Sequence, residues 1–124
     1  MREILFRGKS KETGEWVYGS LQWFKGFSIF DSDWKNFFAV DGETVGQYTG
    51  LTDKNGTKIF EGDILEFSDR LVVVFWHSHL GCWDSNFLEY TNQENGKDDM
   101  SPLNWDYKSR VIGNIHDNPE LLSR

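Results

Sequence analysis

The β character of this chain is densest in Val45-Gly46-Gln47-Tyr48-Thr49-Gly50-Leu51-Thr52-Asp53-Lys54-Asn55-Gly56-Thr57-Lys58-Ile59-Phe60-Glu61-Gly62-Asp63-Ile64-Leu65-Glu66-Phe67. Val45 to Tyr48 reads as extended. Thr52 to Thr57 carries the strongest turn signal of the sequence, because Asn55-Gly56 readily supplies the positive φ angles a tight reversal demands. Glu61-Gly62-Asp63 is a second turn and delivers the chain into Ile64–Phe67. There Ile64 and Glu66 alternate with Leu65 and Phe67, which predicts a half-buried strand with one apolar face. Asn55, Gly56 and Gly62 are thus assigned as structural turn residues.

Working outward toward the amino terminus, Ile4–Phe6 and Trp16–Tyr18 flank a polar turn and predict a first hairpin. Leu21–Phe24 and Phe27–Phe30 predict a second pair of strands around Gly26, and Trp34–Val40 a further strand ended by a turn at Asp41-Gly42. Toward the carboxyl terminus, Leu71–Trp76 is continuously apolar and Val-rich, the pattern of a central strand covered on both faces. A strand over Asn86–Tyr90 follows, then a polar stretch from Thr91 to Pro102 that reads as an exposed loop. Arg110–His116 predicts a last strand. Asn118-Pro119-Glu120 predicts a helical turn with Asn118 as N-cap and Pro119 at the first helical position. Gly46 and Gly113 each sit inside a strand, where glycine often marks close approach of another backbone, so Val45–Tyr48 and Ile112–Ile115 are expected to be neighbours.

Composition bounds the function. The chain has 124 residues, enough for one domain or one domain with an added layer, and folding can bury roughly two thirds of the surface of its unfolded form. Its 10 Phe, 6 Trp and 4 Tyr favour sheets, whose pleated surfaces accept large flat rings. With 20 acidic against 13 basic residues the net charge is −7, which disfavours a protein that grips phosphate backbones. The one cysteine, Cys82, precludes an intrachain disulfide. Met1–Lys11 lacks the long apolar stretch of a signal peptide, and no segment approaches the ~20 apolar residues of a membrane span. A cytoplasmic protein is expected.

Three blocks resemble a known family. Val45-Gly46-Gln47-Tyr48-Thr49-Gly50-Leu51-Thr52-Asp53-Lys54-Asn55-Gly56, running on to Ile59-Phe60-Glu61-Gly62-Asp63-Ile64, resembles the signature of the YopX-like family of phage and prophage proteins. Val111 to Leu122 resembles the carboxyl-terminal pattern of that family, and Phe6-Arg7-Gly8 through Trp16-Val17-Tyr18-Gly19 its usual start. The blocks occur in the right order over nearly the whole chain, which makes the resemblance far more specific than a short motif. It implies a mostly β fold with an SH3-like barrel. Joined to the strands and turns read above, this gives the expectation of an all-β, mainly β chain: an SH3-like β-barrel over residues 44–124 with an exposed loop near 91–102, an additional N-terminal β-hairpin layer over residues 1–43 packed on the barrel, and a short C-terminal helical turn. It implies no established molecular function.

His77 and His79 would face one side of a strand end with Cys82 nearby, a possible metal set, but a closed structural zinc site needs four ligands and no second ligand cluster is present. Packing is the preferred reading for all three. Asp53, Asn55 and Thr57 alternate like a calcium loop, yet Lys58 and Ile64 stand where that loop needs Gly and Glu. Glu61 and Asp63 could divide acid and base roles, but a turn between strands accounts for them. No Gly-x-Ser-x-Gly elbow or phosphate-binding loop occurs. No catalytic residue and no cofactor is assigned.

What remains is aromatic. Trp16, Trp23, Phe24, Trp34, Phe37, Phe38, Trp76 and Trp83 exceed what a core of this size easily hides, although most are expected inside it. Trp34, Phe37 and Phe38 are the leading candidates for an interaction surface. The sequence therefore points to a non-enzymatic module that binds itself or another protein, with homo-oligomerisation covering sheet edges. Single-stranded nucleic acid on the barrel face is the alternative, with Arg2, Arg7, Lys9 and Lys11 as its electrostatic part. A metal-dependent activity at His77, His79 and Cys82 is weaker.

Overall fold

A computed structural model describes residues 3–67, 70–77, 82–87 and 105–123, and the chain is mainly β. It divides into two compact units, residues 1–50 and 51–124. Residues 91–102, the expected loop, fall outside the described residues.

The first unit holds β1 (Phe6–Ser10), β2 (Trp16–Trp23), β3 (Phe27–Phe30) and most of β4 (Phe37–Thr52). All pairings are antiparallel: β1 with β2, β2 with β3, β3 with β4, and β4 back to β1. The four strands thus pair in a closed cycle. Long strands make this possible by changing partner midway. β2 serves β1 up to Gly19 and β3 from Ser20 onward. At the changeover a Cβ on Gly19 would lie 2.0 Å from the Phe30 carbonyl oxygen, so only glycine lets the backbones approach this closely.

The expected turn at Asp41-Gly42 is instead the interior of β4, which runs on without a break. Between the pairs Arg7↔Gly46 and Lys9↔Asp41, Gly8 alone on β1 faces residues 42–45 on β4, a bulge rather than a reversal. Thr44 fixes it: its hydroxyl donates to the Asp41 carbonyl at 2.6 Å and accepts the Lys9 N–H at 2.8 Å. Asp-Gly signals a backbone irregularity, and here the strand absorbs it. Val45–Tyr48 pair with β1, through Arg7↔Gly46, Phe6↔Gln47 and the Tyr48 N–H donated to the Leu5 carbonyl.

The second unit begins with the end of β4 and continues as β5 (Lys58–Phe60), β6 (Asp63–Phe67), β7 (Arg70–His77), β8 (Cys82–Phe87), a one-turn helix α1 (Trp105–Lys108), β9 (Arg110–Asn114) and a 3-10 turn (Pro119–Ser123). Its four-stranded antiparallel sheet has the order β8-β7-β6-β9. β9 pairs with β6, so the two glycine-bearing segments expected to be neighbours, Val45–Tyr48 and Ile112–Ile115, take different ladder partners.

The core of this unit gathers Ile59, Leu65, Phe67, Val72, Val74, Trp83 and Trp105. Ile64 and Leu65 are both fully buried, so β6 is covered on two faces rather than one. β7 shows the reverse. Val72 and Val74 are buried on one face while Leu71, Val73 and Phe75 on the other are only half-buried, so this strand is central in the ladder but not sealed on both sides. Of the strand expected over Asn86–Tyr90, Asn86 and Phe87 belong to β8, which begins at Cys82, and residues 88–90 fall outside the described residues. The helix α1 has no counterpart in the sequence reading. It exists to deliver Trp105, which is entirely buried, and the Ser109 hydroxyl closes it by donating to the Trp105 carbonyl at 2.6 Å.

Candidate functional site

The residues of the middle block are occupied with holding turns. Asp53 is buried, and its Oδ1 accepts the N–H groups of Asn55 at 2.8 Å and Thr57 at 2.9 Å. Its Oδ2 accepts the Val111 N–H at 2.9 Å, tying the turn to β9. Gly56 and Gly62 adopt φ of +82° and +90°, the left-handed region that costs glycine least. Asp63 is buried and accepts the Phe60 N–H at 2.7 Å across that second turn. Asn114 caps the last reversal by accepting from the His116 and Asp117 N–H groups, both at 2.9 Å. Asn118, expected to cap the C-terminal turn, points backward instead: its Oδ1 accepts the Asn114 N–H at 3.1 Å and sits where a Cβ on Gly113 would be.

His77 and Cys82 are paired across β7 and β8, while His79 lies outside the described residues. Among the described residues, no three His, Cys, Asp or Glu side chains converge to hold a metal ion. Of the cations considered for phosphate contact, Arg2 lies outside the described residues and Arg7 is buried with its guanidinium 4.5 Å from the centre of the Trp16 ring. Lys9 lies over the same ring at 5.3 Å, and Lys11 is exposed. No described helix is long and apolar enough to cross a membrane.

Exposed aromatics assemble into a surface feature of the first unit. Trp34, Phe37 and Phe38 are all exposed, Trp34 by 57%. Phe24, Phe37, Phe30 and Trp34 form a continuous row. Phe24 meets Phe37 edge-on at 5.3 Å, Phe37 stacks on Phe30 at 5.1 Å, and Phe30 lies 5.3 Å from Trp34. The register explains the row, because Phe30↔Phe37 are direct cross-strand partners of β3 and β4 and so share a face. A second pair, Trp23 and Phe27, meets edge-to-face at 5.2 Å across the end of the β2–β3 hairpin. Phe27 also covers Gly42, where any Cβ would come within 2.6 Å of its ring. The sequence reading did not single out Phe27 or Phe30. The tight turn Phe24-Lys25-Gly26-Phe27 was the available signal, since it forces flanking side chains onto a short exposed tip.

The loop between β3 and β4 presents Trp34 in an expensive conformation. Its φ is +61°, a rare value for a bulky side chain. Asp31 holds it there. Its backbone N–H donates to the Asn36 carbonyl and its carbonyl accepts the Trp34 N–H, both at 3.0 Å. Its carboxylate accepts the Lys35 N–H at 3.1 Å and the Asn36 side-chain amide at 2.9 Å. The Asn36 amide, with further help from the Asn36 and Lys35 backbone N–H groups, holds the Asp31 carboxyl below the usual carboxylate range. Beside this loop a shallow groove is lined by Ser10, Lys11, Glu12, Phe37, Phe38 and Ala39.

Fold and surface together define a mainly β protein whose prominent side chains, outside its structural turns, are exposed rings. The family described as YopX protein matches residues 5–123, and the chain belongs to that family. A crystal structure of protein EF1440 from Enterococcus faecalis has a similar fold, with a TM-score of 0.56, 23% identity, and coverage of 98% of this chain and 99% of that one. No curated protein matches the chain.

Proposed function

We propose that this chain is a non-enzymatic interaction module that docks a protein partner through the aromatic row of Phe24, Phe37, Phe30 and Trp34. The observation that carries the reading is Trp34: an exposed indole held at φ +61° by a loop organised around one carboxylate. Strained backbone persists only where its surroundings over-determine it, and such strain concentrates at binding sites. Asp53, Asp63, Asn114 and Asn118 are engaged in turn hydrogen bonds, which supports a module without a catalytic centre. The burial of Arg7 argues against phosphate-backbone binding.

The same reading places the protein in a phage or prophage setting, within the bacterial cytoplasm, as the resemblance of its three blocks implies. For the expected barrel over residues 44–124 it takes the order β8-β7-β6-β9, with Ile112 as an extra residue that bulges β9 opposite Ile64 and Leu65, as part of an SH3-like barrel.

Affinity capture from prophage-induced cells tests the docking reading, with the intact chain and a Trp34→Asn/Phe37→Ser variant as baits. A protein retained by the intact chain and lost by the variant is the expected result. Identical capture by two baits of matching circular dichroism would refute it.

A further inference from the structure

We infer that the partner seated on the aromatic row is a second copy of this chain, docked face to face about a two-fold axis; the inference rests on the docking reading above. The charge pattern points this way. Residues 1–50 carry six cations and seven anions, a net charge of −1, whereas residues 51–124 carry seven and 13, a net charge of −6. Of the two units of this acidic chain, the row thus lies on the nearly neutral one, so the unit that two copies bring together adds little repulsion of its own.

The rim sharpens the choice of occupant. Exposed Lys11 and Glu12 line the groove beside Phe37 and Phe38. Lys25 lies 5.9 Å from the centre of the Phe24 ring, and exposed Asp33 and Lys35 flank Trp34. A rim of one sign would select an oppositely charged ligand. A mixed rim is complementary to itself, because a two-fold axis sets each residue i against j and j against i, bringing lysines of one copy to acids of the other. The rings behave alike. The row holds both edge-on and stacked pairs, and ring edges attract ring faces, so an identical row presents what each copy lacks. Trp34, at one end of the row, is a residue of the type that dominates binding energy in such contacts.

Sedimentation velocity of the full chain over a wide concentration range tests the proposal. The expected result is a reversible monomer–dimer equilibrium whose dissociation constant rises about tenfold or more in Trp34→Asn and further in Trp34→Asn/Phe37→Ser. Asparagine tolerates the left-handed conformation, so Trp34→Asn removes the ring without disturbing the loop. A thermal midpoint no lower than that of the unchanged chain confirms that the variant folds. A chain that stays monomeric throughout, or a dimer indifferent to both substitutions, overturns self-docking. A monomer that still loses its captured protein on the same substitutions overturns self-docking alone, whereas indifference in both assays removes the docking surface itself.

Discussion

In residues 51–124 the tryptophans Trp83 and Trp105 are core side chains, while in residues 3–50 Trp23 and Trp34 stand in solvent at the ends of hairpins. The first unit does have buried apolar residues, but they are aliphatic: Ile29 and Val40, on neighbouring strands, are sealed while the rings of Phe37 and Phe38 beside them are not. Aromatic content therefore predicts neither core size nor core position. At a hairpin tip a ring has no second layer to cover it, whereas in β7 and β8 the cross-strand partners Trp76 and Trp83 divide, one exposed and one buried.

This contrast breaks most decisively at Trp105. Trp105→Ala should cost the second unit about 3–5 kcal/mol through the cavity it leaves, read as a lower midpoint in urea unfolding followed by near-ultraviolet circular dichroism. The equivalent loss of an exposed ring, Trp23→Ala, should leave that midpoint almost unmoved. In the first unit the largest effect belongs to a residue with no side chain. Gly19→Ala would drive a Cβ into the Phe30 carbonyl and should cost about 3 kcal/mol, seen as lost amide-exchange protection in β2 and β3. A null result would mean that the two strands do not pass so closely.

Trp34→Asn should act in the opposite direction, stabilising the chain by about 1 kcal/mol through release of left-handed strain. A thermal melt reads this gain, and its pairing with weakened association would show stability given up for docking. The smallest effect is a response to acid. The folded-state value of Asp31 lies below its unfolded one, so its contribution is present above the ordinary carboxylate range and is lost as pH falls through the lowered value. The Asn36 side-chain amide resonances should shift in that acidic window and stay constant near neutrality.

Strand identities were largely legible, because period-two patterning and Gly-centred turns act over a few residues. The mainly β class, the hairpins and the turns at Asn55-Gly56 and Gly62 required nothing more. Long-range facts were not legible. Asp41-Gly42 has the composition of a turn, and only the Thr44 bridge to Lys9 keeps the strand running. Gly113 has the look of a glycine against another backbone, yet the group it admits is the Asn118 side chain five residues on in the turn that follows. α1 follows a polar stretch and is too short for a helical period, so Trp105 left no pattern to find. The site was half visible: Trp34, Phe37 and Phe38 stood out as a cluster in sequence, whereas Phe30 joins Phe37 through the β3–β4 register and Phe24 through its ring contact with Phe37.

The Asp53 carboxylate also divides the folding of the second unit in time. Its Oδ1 bonds reach only two and four residues ahead, while its Oδ2 bond to Val111 spans 58 residues. Closing the local half belongs to the microsecond scale of hairpins, but the remote half must wait until β9 has found β6. One side chain thus takes part in an early event through one oxygen and a late event through the other. Substitutions at Thr57 and at Val111 should accordingly divide between the folding and unfolding limbs of the kinetics.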